Sequence, residues 1–139
     1  MRTWLHQTLA DSTELQTWLE GDPTGRVFPR FTKTTFNGLR PFVIHGLGNS
    51  SDMLPSEDEG FGKRQYFQVW LHDEGADFTR IDDGLDIVKG LLVNGSDKAS
   101  NLTTVQWLET SQEFNNETYN TIFRYLRFQA IISKGVTIS

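Results

Sequence analysis

Cysteine is absent from this chain of 139 residues. That removes disulfides, thiol nucleophiles and thiolate metal sites, while leaving the compartment open. Histidine occurs only at His6, His45 and His72, too scattered for a closed zinc site to assemble easily. No segment is apolar enough to span a membrane, and Met1-Arg2-Thr3-Trp4-Leu5-His6-Gln7 carries no apolar run of signal-peptide length. Cytoplasmic synthesis and no membrane partner are therefore expected. The N-x-[ST] triplets at Asn49, Asn94, Asn101 and Asn116 read as chance in a chain rich in Asn and Thr. Internal repeats and low-complexity tracts are missing as well.

Aromatic residues at 12% and hydrophobic residues at 37% exclude wholesale disorder. The length suits one domain over residues 1–139 with a real core. A net charge of −5 excludes a broad basic face for DNA. The distribution says more than the sum. Pro23 to Ser51 holds Arg26, Arg30, Lys33 and Arg40 and no acid; Thr118 to Ser139 holds Arg124, Arg127 and Lys134 and no acid. The acids gather in the first helical region, in Asp52, Glu57, Asp58 and Glu59, and between Asp73 and Asp86. Charge separated in this way can steer one subunit onto another, although solvated faces on different elements produce the same pattern.

Along the chain, Thr3 to Glu20 reads as helical in two pieces. Trp4, Leu5 and Leu9 form one apolar patch, Leu15, Trp18 and Leu19 another, and Ser12 is placed to cap the second piece. Arg26 to Lys33 is a strand that Pro29 pushes towards an edge position or a bulge, and Pro41 to Leu47 is a second strand. Gly48 to Gly62 is an acidic, glycine-bearing loop. Lys63 to Asp73 is the clearest strand: Phe67, Val69 and Leu71 point one way, and Tyr66, Gln68, Trp70 and His72 the other. The helix Phe78 to Leu92 carries the stripe Phe78, Ile81, Leu85, Val88 and Leu92, with Thr79 and Asp82 spaced as a capping box and Asn94-Gly95 as its stop. Leu102 to Glu109 and Tyr119 to Ser133 are the last strands; the latter, mixed on both faces, fits a sheet edge or a shared surface. Short links from Arg26 to Asp73 favour antiparallel pairing. The expected fold is α+β: an antiparallel sheet of about five strands with helices packed on one face.

Reactive constellations are weak. His45, Ser51 and Asp52 have the residue types of a hydrolytic triad, but Gly48-Asn49-Ser50-Ser51-Asp52 is no nucleophile elbow. His72-Asp73-Glu74 with Asp77 offers imidazole and oxygen ligands near a turn, yet these acids equally end a strand and start a helix. Asp82, Asp83 and Asp86 suit the early turns of a surface helix without any function. Gly46-Leu47-Gly48 is half a dinucleotide fingerprint and opens no helix. No catalytic, cofactor or metal residues are assigned. Of the four tryptophans, most belong in a core, and Trp70, on the less buried face of its strand, belongs near an interface.

Several segments taken together carry a family resemblance: Arg40-Pro41-Phe42-Val43-Ile44, Tyr66 to Asp73, Gly75-Ala76-Asp77-Phe78-Thr79-Arg80-Ile81-Asp82, Trp107-Leu108-Glu109-Thr110-Ser111, and Ile122 to Gln129. In that order the chain resembles the tail-terminator (tail completion) proteins of long-tailed phages, which cap a finished tail tube and join it to the head. The resemblance implies a virion structural protein of the tail or neck, made in the host cytoplasm, with neither catalysis nor cofactor. It implies a homo-oligomer, a six-membered ring, between the tail-tube protein below and a head-completion protein above, with DNA only passing through the opening. Trp70, Arg124, Arg127, Asp82 and Asp86 are then subunit-interface candidates, the basic strands (with Arg30) meeting the acidic helix or loop of the next copy. Asp52, Glu57, Asp58 and Glu59 are docking-loop candidates. Two alternatives stand beside it. One is another neck or tail subunit, a head-closure or tube protein; a tube protein carries a long hairpin, which the turn-like Gly48 to Gly62 does not announce. The other is a small metal-dependent enzyme using His72, Asp73 and the helix acids.

Overall fold

The computed structural model describes residues 1–19, 27–28, 41–52, 62–73, 78–116 and 121–133. The helical opening is two helices, α1 (Arg2–Ala10) and α2 (Thr13–Trp18). They separate where the Ser12 hydroxyl accepts the Leu15 amide at 3.2 Å, satisfying one of the orphan N–H groups of a helix start. Strands β1 (Val27–Phe28), β2 (Phe42–Asp52) and β3 (Lys63–Asp73) follow, then α3 (Thr79–Leu92). After a single 3₁₀ turn, Lys98–Ser100, come β4 (Leu102–Thr110), β5 (Phe114–Asn116) and β6 (Thr121–Ile132).

The fold is α+β as expected, with the sheet running β1-β2-β3-β6-β4 and short β5 continuing beside β6. Four details differ from the sequence reading. β1 lies at the edge but pairs parallel to β2; the connection from Phe28 to Phe42 has the length of about a dozen residues that a parallel crossover needs. β6 is not an edge: it runs between β3 and β4. β2 continues through Gly48–Asp52, so that β2 and β3, 11 residues each, form a long antiparallel hairpin. A register shift between Leu47 and Ser50 marks this extension, and the buried Gln65 amide donates there to the carbonyls of Gly48 (2.9 Å) and Asn49 (3.3 Å). Finally, α3 starts after Phe78 with no side-chain cap, so Thr79 and Asp82 make no capping box.

All three helices bear on one face of the sheet. Leu5, Leu9, Leu15 and Trp18 from α1 and α2, and Ile81, Leu85, Val88 and Leu92 from α3, close over Val43, Phe67, Val69, Leu71, Leu126 and Phe128. Each fully buried aliphatic or aromatic side chain stabilises the fold by roughly 1.5–3 kcal/mol. Phe67 and Phe128, directly opposite in register, stack with ring centroids 5.0 Å apart at the centre. α3 comes close because Gly84 leaves room: a Cβ there would lie 2.6 Å from Leu71 Cδ2 and 2.6 Å from Trp18 Cε2. The join is fixed by a reciprocal pair, the Trp18 indole N–H donating to the Arg80 carbonyl (2.7 Å) and the Arg80 guanidinium to the Trp18 carbonyl (3.1 Å).

Candidate assembly surfaces

Strand alternation sends the residues between the core positions to the opposite face, and there the sheet is aromatic. Phe42, His72, Phe123 and Phe114 stand on β2, β3, β6 and β5 as direct cross-strand partners. Their rings stack in succession at 4.5, 4.9 and 5.1 Å. Such cross-strand pairs are the unit that stabilises a sheet. His72 is fully buried in this row, and burial lowers its pKa to about 3, so it stands neutral with Nδ1 2.8 Å from the Thr121 hydroxyl. Beside the row, Trp70 is half-buried, packs on Phe42 and Ile44, and lies 6.2 Å from the Tyr125 ring. Trp70 therefore sits on the face opposite α1, α2 and α3, as its strand position predicts.

The charged candidates divide between the two faces. Arg124 is on the helix side. Its guanidinium donates to Asp82 Oδ1 at 2.6 Å, and to the Ser111 carbonyl at 3.0 and 2.8 Å. The pairing expected between neighbouring subunits is thus made inside one chain, because Arg124 and Asp82 face each other where α3 crosses β6. Arg127 is on the other side, over the Tyr66 ring at 5.3 Å and 3.6 Å from the cross-strand Glu109. Both members of that pair are exposed, and such pairs contribute little. Asp86 is exposed and borders a cleft of about 210 Å³ with Asp82, Lys89, Thr110 and Arg124. Asp52 ends β2 opposite Lys63. Arg30, Glu57, Asp58 and Glu59 lie outside the described residues.

The reactive constellations are taken apart. His45 faces α1, its Nε2 3.0 Å from His6 Nδ1, and burial with the neighbouring His6 charge lowers its pKa to about 4. Asp73 is buried and paired with Arg80 at 3.6 Å. It projects to the helix side while His72 projects to the aromatic side, so His72, Asp73 and the α3 acids do not converge. Among the described residues no group of three or more His, Asp or Glu is placed to hold a metal ion, and no helix is long and apolar enough to cross a membrane.

Sequence reasoning missed the outer edge of β4. The loop after α3 closes this edge as far as Val105: Asp97 and Leu102 exchange backbone hydrogen bonds at 2.9 Å, and the Asn94 amide donates to the Val105 carbonyl at 2.9 Å. Asn94 adopts a left-handed conformation (φ 64°) to turn the chain there. Beyond Val105 the register shifts between Trp107 and Glu109, and Trp107 and Leu108 stand 40% and 41% exposed. Most tryptophans are expected in the core; Trp107 is not there, and of the four only Trp18 is buried. The signal was present in the sequence: two consecutive large apolar residues on a strand point to opposite faces, so the helix-covered face cannot bury both. Lys89 lies over the Trp107 ring with its ammonium 3.7 Å from the centroid, and the indole N–H donates to the Thr110 hydroxyl at 3.2 Å.

No family model and no curated protein matches this chain. Among solved structures, it is similar to a chain in the virion of the native gene transfer agent (GTA) particle, at TM-score 0.71 and 17% identity, over 96% of this chain and 95% of that one. The likeness is one of fold.

Proposed function

We propose that this chain is a structural subunit of a phage-like virion, and within it a tail terminator: a six-membered ring that caps the tail tube and meets the head-completion protein above. The observation that carries the reading is the fold shared end to end with a chain of a virion particle, with neither chain holding a large unmatched part. The described residues support it by what their polar groups already do. Asp73 is paired with Arg80 and Asp82 with Arg124, and His72 is held neutral in an aromatic stack. What they leave outward is contact surface: a partly open β4 edge with exposed apolar residues.

A second reading has one observation in its favour. The long β2–β3 hairpin is the feature expected of a tube-type subunit, and it is present. The two readings differ in how copies assemble. Light scattering across a dilution series, with negative-stain images of the largest species, separates them. Closed six-membered rings that do not stack are expected for the terminator. Continuous stacking would favour the tube subunit, and a monomer that adding tail tubes fails to assemble would defeat both.

A further inference from the structure

We infer that α1 is a latch that acid loosens: one proton shared between His6 and His45 holds it on β2, and a second proton on the pair opens α1 while the centre of the sheet stays closed. This goes beyond the virion reading and does not depend on it. His6 Nδ1 and His45 Nε2 stand 3.0 Å apart, with their rings tilted by 52°. At that distance one nitrogen donates and the other accepts, so one of the two must be free of a proton. Once both carry protons, two donors and two positive charges face each other, and the bond turns into a repulsion. Among the described residues no other hydrogen bond ties α1 to the sheet.

The surroundings offer a second charge no counter-ion. His45 is 2% exposed. Val43 and Leu47 flank it on its face of β2, Val69 is its cross-strand partner, and β1 brings Val27. The charged groups of the packed elements are engaged or turned away. Asp11 and Glu14 are exposed, as are Asp83 and Asp86 on α3. Asp82 is bonded to Arg124, Asp73 to Arg80, and Lys89 lies over Trp107. Asp52 stands at the far end of β2. Arg2 and the Met1 ammonium, at the start of α1, are cations themselves. Burial first, and then the neighbouring His6 charge, lowers the His45 pKa to about 4. Position in the fold confines the effect. α1 lies over β1 and β2 at one edge of the sheet, whereas α3 crosses β3 and β6. The helix can therefore lift without uncovering the stacked Phe67 and Phe128.

With α1 open, His45 regains its ordinary pKa of 6.5 and binds a proton that the closed form refuses. Opening thus rises as pH falls from 6.5 towards 4, roughly tenfold between pH 6.5 and 5. The test is native-state hydrogen exchange at those two pH values, corrected for the chemical exchange rate and read at the amides of α1 and β3. The α1 amides are expected to be less protected than those of β3 at both, and to lose roughly tenfold in protection across the interval. In His45→Gln the pH dependence of α1 is expected to vanish, while β3 keeps the part that His72 supplies. An NMR titration of the His45 ring in the unaltered chain needs no variant, and the ring is expected to remain neutral at pH 5. Equal protection of α1 and β3 at both pH values would mean that α1 opens only with the whole chain, which overturns the inference. Protection of α1 that ignores pH overturns it as well, and so does a His45 ring that titrates near 6.5.

Discussion

Two glycines of α3 occupy opposite surroundings. At Gly84 a methyl group would enter the contact where helix, sheet and α2 meet, 2.6 Å from both Leu71 and Trp18. Neither neighbour can retreat freely: Leu71 is fully buried in the sheet, and the Trp18 indole is tied to the Arg80 carbonyl. Gly84→Ala is therefore expected to destabilise by about 1–3 kcal/mol, the usual range for overpacking a filled core. At Gly90 a Cβ meets nothing within 4 Å. There the substitution only removes the flexibility that a glycine brings to a helix, and Gly90→Ala is expected to stabilise by about 1 kcal/mol. Urea unfolding of the two variants beside the parent checks both signs. Equal midpoints at Gly84 would mean that α3 stands further from the sheet than described.

At the scale of elements, the two buried histidines make the fold sensitive to acid. His45 joins β2 to α1 through His6, and His72 joins β3 to its neighbours through the stacked rings. Folding lowers their pKa from 6.5 to about 4 and about 3. The unfolded chain thus binds more protons in this interval, and stability falls as pH falls. The contribution is full above pH 6.5 and is lost progressively down to the folded values. Ordinary carboxylates titrate near 4, so the window from pH 6.5 to 5 isolates the histidines. Thermal melts across it should show a steady decline that is shallower in His45→Gln; an unchanged slope would show that His45 is solvated. The same elements show what was legible in the sequence. Both N-terminal helices, the Ser12 cap and the α3 stripe were readable because helix signals are local. The parallel β1 and the internal place of β6 were not, since pairing is decided by residues far apart in sequence. The mixed faces of β6 read as an edge. In the fold one face carries Arg124, held by Asp82 and Ser111, and the other is aromatic and covered in part by its own neighbours.

For the whole molecule, the same sequence pattern that separates charges along the chain had two possible uses, and the fold divides them. Arg124 and Asp82 are joined within the subunit and help hold α3 to the sheet; that pair was legible as a set of charges but not as an internal bond. In the proposed assembly, exposed charges such as Asp86 are available for contact between copies, while every copy carries the same net charge of −5. These two effects act over different distances. Attraction across a contact acts within a few ångströms, whereas repulsion between whole subunits acts over their separation, on the order of 30 Å for domains of this size. At about 0.1 M salt the screening length is about 10 Å, so the contact charges are felt and the net charge is largely screened. At about 0.01 M the length grows to about 30 Å and the repulsion reaches the next copy; at about 1 M it shrinks to about 3 Å and the contact itself weakens. Assembly is therefore expected to be strongest at intermediate salt and weaker on both sides, read as the half-assembly concentration by light scattering. Asp86→Lys should blunt the loss at high salt, because it removes an attraction that salt would otherwise screen. Assembly that only strengthens as salt rises would mean that apolar anchors alone hold the contact and that charge has no part in choosing the partner.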